Sequence, residues 1–527
     1  MAWYDDAIFY HIYPLGLLGA PKRNACSEPV PRLHELRPWI GHIRALGCSA
    51  LYIGPLFESV GHGYETTDYR TLDSRLGTNG DLREFVAACH AAGLRVVLDA
   101  VFNHSGRDFF AFRDLREKRE SSPFRDWYCG VNFWGNDSYN DGFSYESWGG
   151  YEELPRLNLR NPAVRDYHLE TVRFWVREFD IDGLRLDAAD VLDFDFMRAL
   201  RSLAEEVKPE FWLMGEVIHG EYSRWVNGQT LHSVTDYALH KALRSGHNEQ
   251  NYFEIAHTVD RSLRMAGGSF ERFRLYSFAD NHDVERIYTR LHCKAHFVPV
   301  HILLFTLPGL PSIYYGSEWG IEGEKRRGGS DDAIRPALRL EEMEENACSR
   351  LVAALGRTRR DCPALRRGSY RQLLLRNRQY AFARELPGER VLVAVNSDAA
   401  PAALELDAEG CFVGALSGAR VSAADGKLRF ELPPCSGEIW LPAQAAGDYV
   451  PLDLSELAAA MPGPEEPKPA KELPVVDKPF EQMSVEELQG AILAKMAKNG
   501  PVTEEMRRTV LENTHPGSLL NWVRSFR

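Results

Sequence analysis

Eight short apolar runs recur between the start of the chain and about residue 355, and amphipathic segments such as 81–92 and 164–179 lie between several of them. The runs are 8–13, 50–54, 95–101, 183–187, 211–217, 233–237, 275–279 and 312–315. Parallel strands buried on both faces give continuous apolar runs of this kind, and helices connect them. The pattern predicts an α/β fold with a (β/α)8 TIM barrel, although a doubly wound open sheet would give a similar pattern.

The third run is followed by a stretch that is far longer than an ordinary connection between a strand and a helix. From residue 105 to about 160 this stretch is rich in Phe, Trp, Tyr, Gly and Asn. Active sites of TIM barrels lie at the carboxyl ends of the strands. We therefore expect a short inserted subdomain at 105–152 over that face, with the barrel formed by 1–104 and 153–355.

The pattern changes to short alternating runs between residues 368 and 443, which predicts a C-terminal antiparallel β domain. Six prolines then fall between Pro462 and Pro479 among Glu and Lys residues. Proline-rich segments of this composition form stiff, extended linkers, so 444–483 is predicted to be a linker.

The last segment, 484–527, is predicted to be a small helical tail. Ser484 and Glu487 have the spacing of a capping box, and a second short helix is expected over 503–512. A short helix is marginally stable alone, so the apolar face that includes Leu488 and Ile492 must be buried. Docking onto the chain's own domains and contact with a second subunit are both open.

Composition excludes several classes of function. The chain has 62 basic and 75 acidic residues, a net charge of −13, which repels nucleic acid and anionic membrane surfaces. The N-terminus lacks the pattern of a signal peptide, and prolines interrupt the most apolar stretch, 297–315, so no membrane span is expected. Nine cysteines without a CxxC spacing predict reduced thiols, a cytoplasmic protein and no metal site.

Acidic residues follow four of the predicted strands. They are Asp99, Asp187, Glu216 and the pair Asp280 and Asp283. A single buried acid is usually a structural hydrogen-bond acceptor, but four in register with four strands of a barrel would converge at one mouth. We therefore expect a site built from carboxylates.

Carboxylates in an aromatic-rimmed site point to glycosyl transfer, which needs one protonated and one ionised acid. Arg185 lies on the same strand face as Asp187 and is expected to keep that carboxylate ionised. Glu216 has no Arg or Lys beside it in the sequence, which favours a raised pKa and the role of the acid. Metal-dependent hydrolysis is the competing chemistry, but no H-x-E or HExxH spacing supports it.

Four segments together resemble the signature regions of the α-amylase family, glycoside hydrolase family 13, in the family's order and spacing. They are Asp99-Ala-Val-Phe-Asn-His104, Gly183-Leu-Arg-Leu-Asp187, Gly215-Glu-Val217 and Asn281-His-Asp283. Supporting matches are Leu154-Pro-Arg-Leu-Asn158, His62-Gly-Tyr64 with Asp68-Tyr69, and the segment from Gly309 to Glu318. The resemblance covers roughly residues 8 to 443.

This resemblance implies roles for individual residues. Asp187 would be the nucleophile, Glu216 the acid/base and Asp283 the third carboxylate, which binds sugar hydroxyls and stabilises the transition state. Arg185 would orient the nucleophile, and the substrate-binding residues would be His104, His282 and Tyr64, the last by stacking on the sugar ring. Asp99, Asn103 and Asp68 would be structural.

Within the family, the chain looks most like the cyclomaltodextrinase, neopullulanase and maltogenic amylase group. The first barrel strand begins by Ile8, so the N-terminal β domain of that group is not expected. The loop 19–29 lacks the Asp- and Asn-rich calcium pattern of several relatives, and no cofactor is expected. A homo-oligomer is possible.

The resemblance implies a retaining α-glucan hydrolase that acts on maltodextrins or cyclomaltodextrins through a covalent glycosyl-enzyme intermediate. Two alternatives stay open. The first is a transglycosylase of the same fold, related to sucrose- or trehalose-forming enzymes. The second is a catalytically inactive family member that serves as a binding subunit, against which the intact Asp187, Glu216 and Asp283 argue.

Overall fold

The computed structural model describes residues 2–325, 330–444, 451–452, 478–499, 506–507, 510–511 and 516–525. These residues belong to two compact units, 1–464 and 465–527.

The barrel of the first unit is a parallel sheet of eight strands within the described residues, and the predicted fold is confirmed. The strands are β1 Phe9–Ile12, β2 Ala50–Ile53, β3 Arg95–Ala100, β4 Gly183–Leu186, β5 Trp212–Gly215, β6 Ser233–Val234, β7 Tyr276–Phe278 and β8 Leu310–Tyr314. Their order is β6-β5-β4-β3-β2-β1-β8-β7, and a parallel bridge between Thr235 and Tyr276 closes the ring. Closure excludes the doubly wound open sheet.

Large side chains fill the amino-terminal half of the barrel. Phe9 stacks on Trp212 with ring centroids 4.8 Å apart, and Tyr276 packs edge-on against Phe9 at 5.3 Å. Successive residues of a strand point to opposite faces, so Phe9 and His11 share the inner face of β1. The apolar layer around Phe9 therefore lies beneath the polar residues at the opposite end of the strands.

Helices surround this sheet and connect its strands. The longer helices of the first unit are Arg37–Ala45, Asn79–Ala91, Phe110–Lys118, Pro162–Phe179, Phe194–Val207, Tyr237–Asn248, Tyr252–Met265, Phe297–Thr306 and Ala347–Asp361; the short ones are Pro14–Leu17, Ile287–Arg290 and Pro363–Arg367. All ten residues of Phe297–Thr306 are buried, so its apolar sequence reflects a position inside the protein. Across the described residues we find no helix with the length and apolarity that crossing a membrane requires.

The long connection after β3 consists of the helix Phe110–Lys118, several short turns and isolated bridges rather than an extended sheet. Two bridges, between His104 and Arg156 and between Tyr128 and Leu157, tie its two ends together. Several of its aromatic side chains are exposed, among them Trp134, Trp148 and Tyr151. The segment begins and ends at the carboxyl edge of the barrel, beside the predicted site.

The C-terminal part of the first unit is antiparallel, as predicted. Its strands are β9 Ser369–Leu375, β10 Gln379–Leu386, β11 Glu389–Asn396, β12 Ala402–Asp407, β13 Cys411–Gly414, β14 Arg420–Ser422, β15 Lys427–Leu432 and β16 Ser436–Pro442. Within residues 369–442 the sheet order is β9-β10-β11-β16-β13-β14, and β12 pairs with β15. Leu404, Leu428 and Trp440 lie in the core between these sheets.

The second unit contains the helices Val485–Asn499 and Pro516–Ser525. The predicted capping box is confirmed: the Ser484 N–H donates to Glu487 at 2.6 Å, and the Glu487 N–H donates to the Ser484 hydroxyl at 3.3 Å. The apolar face forms a small core within the unit itself, made by Leu488, Ile492, Leu493, Val510, Leu519 and Val523. Most of the predicted linker 444–483 and of the predicted helix 503–512 lies outside the described residues.

Candidate active site

One guanidinium group joins three of the predicted acids. Arg185, on β4, donates to Asp99 at 2.9 Å, to Asp187 at 2.9 Å and lies 2.9 Å from an oxygen of Glu216. Asp99 belongs to β3, whereas Asp187 and Glu216 follow the last residues of β4 and β5. Because neighbouring parallel strands end at the same edge, the barrel brings these side chains together as the sequence predicts.

The surroundings of Glu216 differ from the prediction. The sequence shows no cation beside Glu216, but Arg185 on the neighbouring strand contacts it, and the Ala188 N–H donates to its second oxygen at 2.9 Å. Burial raises the pKa of Glu216, and the negative charge of Asp283 adds to that rise, whereas Arg185 opposes it. The pKa of Glu216 is therefore raised, as predicted. The predicted reason, that no cation lies beside Glu216, is wrong because Arg185 contacts it.

The contact between Arg185 and Asp187 is present, but it does not keep the pKa of Asp187 low. Burial raises that pKa, Arg185 lowers it, and the charges of Glu216, Asp99 and Asp283 raise it further. Asp187 and Glu216 contact the same guanidinium, so protonation of either carboxyl lowers the cost of ionising the other. The two groups therefore titrate as a pair.

The third carboxylate, Asp283, has different neighbours. Its oxygens lie 3.0 Å from Nε2 of His282 and 2.9 Å from a guanidinium nitrogen of Arg335. Burial raises the pKa of Asp283, but His282 and Arg335 outweigh it and hold the pKa well below the usual range. Asp283 is therefore the acid of this group that stays ionised.

The predicted aromatic residue Tyr64 lies at the same mouth. Its hydroxyl contacts Asp99 and Nε2 of His282, and its ring stacks on the His282 ring with centroids 5.8 Å apart. Tyr13 stacks on the His282 ring as well, at 6.0 Å. The imidazole of His282 is thus fixed between aromatic rings and a carboxylate.

Nε2 of His104 and Nδ1 of His282 are among the buried imidazole nitrogens that have no hydrogen-bond partner within the described residues. Each ring is 1% exposed, and the other nitrogen of His104 lies 3.3 Å from the Asn103 amide. Trp148 of the long connection lies 6.1 Å from the His104 ring. Both nitrogens are therefore buried and unpaired within the described residues.

The remaining acids named by the sequence have structural partners. Asp99 accepts hydrogen bonds from Tyr52 at 2.8 Å and from Tyr64 at 3.0 Å in addition to Arg185. Asp280 accepts from the Ile287 N–H and the Ser317 hydroxyl, both at 2.7 Å. Asp68 accepts from the Arg70 N–H and the Thr71 hydroxyl.

Sequence reasoning missed Arg335, Tyr13, His11 and Tyr52. Arg335 follows β8, donates to the His282 carbonyl at 2.8 Å and lies over the Tyr13 ring at 4.6 Å. His11 stacks on Tyr52 at 4.1 Å and packs edge-on against His282. The position of Tyr13 directly after β1, at the carboxyl edge, is a signal that could have identified it.

The first loop of the barrel, which lacks a calcium pattern in the sequence, is held by side chains. Asn24 donates to Glu58 at 2.7 Å, and the Arg75 guanidinium pairs with Asp73 at 2.7 Å. The Asp73 carboxylate is therefore neutralised by Arg75, and the Glu58 carboxylate is hydrogen-bonded by the Asn24 amide.

Residues 39–367 match the model of the α-amylase catalytic domain, and residues 370–439 match that of the maltogenic amylase C-terminal domain. The chain belongs to the α-amylase family. A cyclomaltodextrinase from Bacillus sp. is 30% identical over 419 residues, which cover 76% of this chain and 74% of that protein. The enzyme is thus a glycoside hydrolase similar to cyclomaltodextrinases and maltogenic amylases, and it acts on oligosaccharides.

Solved structures agree with this assignment. A cyclomaltodextrinase superposes with a TM-score of 0.74 at 27% identity, covering 83% of this chain and 78% of that chain. A cyclic α-maltosyl-(1→6)-maltose hydrolase from Arthrobacter globiformis, in complex with that cyclic sugar, gives 0.70 at 26% identity, with coverage of 83% and 99%.

Proposed function

We propose that the enzyme is a retaining hydrolase that cleaves α-1,4-glucosidic bonds of maltodextrins and cyclomaltodextrins through a covalent glycosyl-enzyme intermediate. The observation that carries the proposal is the shared contact of Asp187 and Glu216 with Arg185, beside an Asp283 that is kept ionised. A retaining mechanism needs a nucleophile and an acid on opposite sides of one glycosidic bond, with one proton between them.

The pair supplies that proton. In the first step Glu216 protonates the glycosidic oxygen while Asp187 attacks the anomeric carbon, so the bond to the leaving sugar breaks as the ester to Asp187 forms. In the second step Glu216 removes a proton from water, which attacks the anomeric carbon and releases Asp187. Arg185 stabilises the negative charge that returns to Asp187.

Substrate contacts surround this pair. Asp283, His104 and His282 would bond the hydroxyls of the sugar that is cleaved, and Tyr64, whose ring stacks on that of His282, would stack on the sugar ring. Trp148 and Tyr151 form a partly exposed stacked pair, with centroids 5.9 Å apart, near His104. Flat aromatic faces of this kind suit the apolar faces of glucose units farther along a glucan.

We also propose that the enzyme works in a reducing compartment, the cytoplasm. All nine cysteines fall within the described residues and are free thiols. Thiols of secreted proteins are usually paired as disulfides.

The test is Asp187→Asn with Asp190→Asn as a matched control. Asp190 lies three residues later and is exposed, so its variant carries the same charge change outside the carboxylate group. Asp187→Asn should lower kcat on maltotriose by a factor on the order of 10⁴ or more, whereas Asp190→Asn should stay near wild type. Comparable activity of the two variants would refute the assignment of Asp187 as the nucleophile.

Two further measurements test the bond and the mechanism. Turnover of maltotriose, β-cyclodextrin and pullulan, assayed side by side, compares the preference of the enzyme for different glucosidic bonds. NMR of the first product from maltotriose should show the α-anomer. Initial release of the β-anomer would refute retention. Oligomers longer than maltotriose as the main product would instead indicate the transglycosylase.

A further inference from the structure

Two cysteines and a histidine meet where the barrel contacts the C-terminal β domain. Cys293 and His296 lie in the turn that leads into the buried helix Phe297–Thr306, and Cys435 directly precedes β16. One donor atom from each of the three residues lies within 4.8 Å of the other two. His296 and Cys435 are buried, and Cys293 is partly exposed.

The orientation of His296 leaves one ring nitrogen available. Its Nε2 lies 3.0 Å from the Ser397 carbonyl oxygen, which can only accept a hydrogen bond, so Nε2 carries the proton. Nδ1 then holds a lone pair, and among the described residues it has no hydrogen-bond partner although the residue is only 4% exposed. A metal-binding histidine is held in the same way, with its second nitrogen donating to a backbone carbonyl.

The donor set is soft. Two sulfurs and one imidazole nitrogen suit Zn²⁺, whereas Ca²⁺ and Mg²⁺ prefer oxygen ligands. Tetrahedral Zn²⁺ with bonds of about 2.0–2.3 Å places its ligand atoms about 3.3–3.8 Å apart. Donors within 4.8 Å of one another therefore reach that spacing through shifts of about 1 Å.

We propose that Cys293, Cys435 and Nδ1 of His296 form a Zn²⁺ site that links the barrel to the C-terminal β domain, with a water as the fourth ligand on the partly exposed side of Cys293. The sequence predicts no metal site, because only Cys293 and His296 are close along the chain. The site is separate from the carboxylates around Arg185 and depends on no step of the proposed reaction.

The experiment uses the full-length enzyme, treated with chelator and kept reduced. Calorimetric titration with Zn²⁺ should show one tight site per chain, and Co²⁺ should give thiolate-to-metal charge-transfer absorption. Cys435→Ser should weaken Zn²⁺ binding by at least about 100-fold. Cys411→Ser, which changes an exposed cysteine of the same β domain, should bind Zn²⁺ as wild type does.

Cys293→Ser provides a second variant in case Cys435→Ser does not fold, because Cys293 is only partly buried. Absence of a stoichiometric site in the wild type, or undiminished binding in the folded variants, would overturn the proposal. A Cys293–Cys435 disulfide in protein alkylated at cell lysis would also overturn it. Wild-type turnover of maltotriose by a variant that no longer binds Zn²⁺ would show that the site is independent of the proposed function.

Discussion

Asp182 offers a quantitative test of how a buried carboxylate stabilises the barrel. It contacts four donors at the amino-terminal edge of β4. Its oxygens lie 2.7 Å from His90, 3.0 Å from Arg95, 2.9 Å from the Val96 N–H and 3.0 Å from Lys208. Burial raises the pKa of Asp182, but these donors outweigh burial and lower it from 3.8 to about 2.

The magnitude follows from the difference between the two pKa values. A decrease from 3.8 to about 2 contributes about 2 kcal/mol to the free energy of unfolding at neutral pH. Because the folded pKa is the lower one, this contribution is complete well above pH 3.8 and is lost as the pH falls through about 2. At pH 3 about half of it remains. Asp182→Asn also leaves buried donors unpaired, so we expect a total loss of about 3–5 kcal/mol at pH 7.

Urea unfolding of the full chain at pH 7 and at pH 3 measures this loss for Asp182→Asn. The matched control is Asp180→Asn, which changes an exposed aspartate that also contacts Lys208 and His90 and should cost less than about 1 kcal/mol. The difference between Asp182→Asn and wild type should shrink by about 1 kcal/mol between pH 7 and pH 3. A loss below 1 kcal/mol at pH 7, or one that does not depend on pH, would refute the argument.

Three further outcomes are expected. Glu216→Gln should lower kcat on maltotriose by about 10²–10⁴-fold. It should spare the glycosylation step with an activated aryl maltoside, because that leaving group needs no proton. Equal losses on the two substrates in single-turnover assays would contradict the role of Glu216 as the acid. Glu216 must be protonated to act as the acid, and burial raises its pKa. As the pH rises, kcat/KM should therefore begin to fall only above the ordinary glutamate range, and a decline that begins at pH 4 would contradict this. Arg185→Lys should fold, by circular dichroism, but lose most of kcat, since a single ammonium cannot replace the guanidinium that contacts Asp99, Asp187 and Glu216; wild-type kcat would show that these contacts are dispensable.

The eight strands of the barrel could be predicted because each is a short apolar run whose character depends on local sequence. Position at a strand end is also local, so Asp187 and Glu216 were correctly predicted to lie at one edge. The capping box at Ser484 is another local pattern, and it is confirmed because its two hydrogen bonds join residues three apart.

Contacts between distant segments were decided by the tertiary structure alone. The sequence pairs Arg185 with Asp187, two residues away, but the barrel also places that guanidinium against Glu216 on the next strand, which changes the electrostatic reasoning for both acids. Arg335 reaches Asp283 from the loop after β8, and Cys435 meets Cys293 across two domains. Strand ends follow from the periodicity of the chain, whereas the partners of a charged or sulfur-bearing side chain depend on how strands are ordered and how loops cross them, which no local pattern contains.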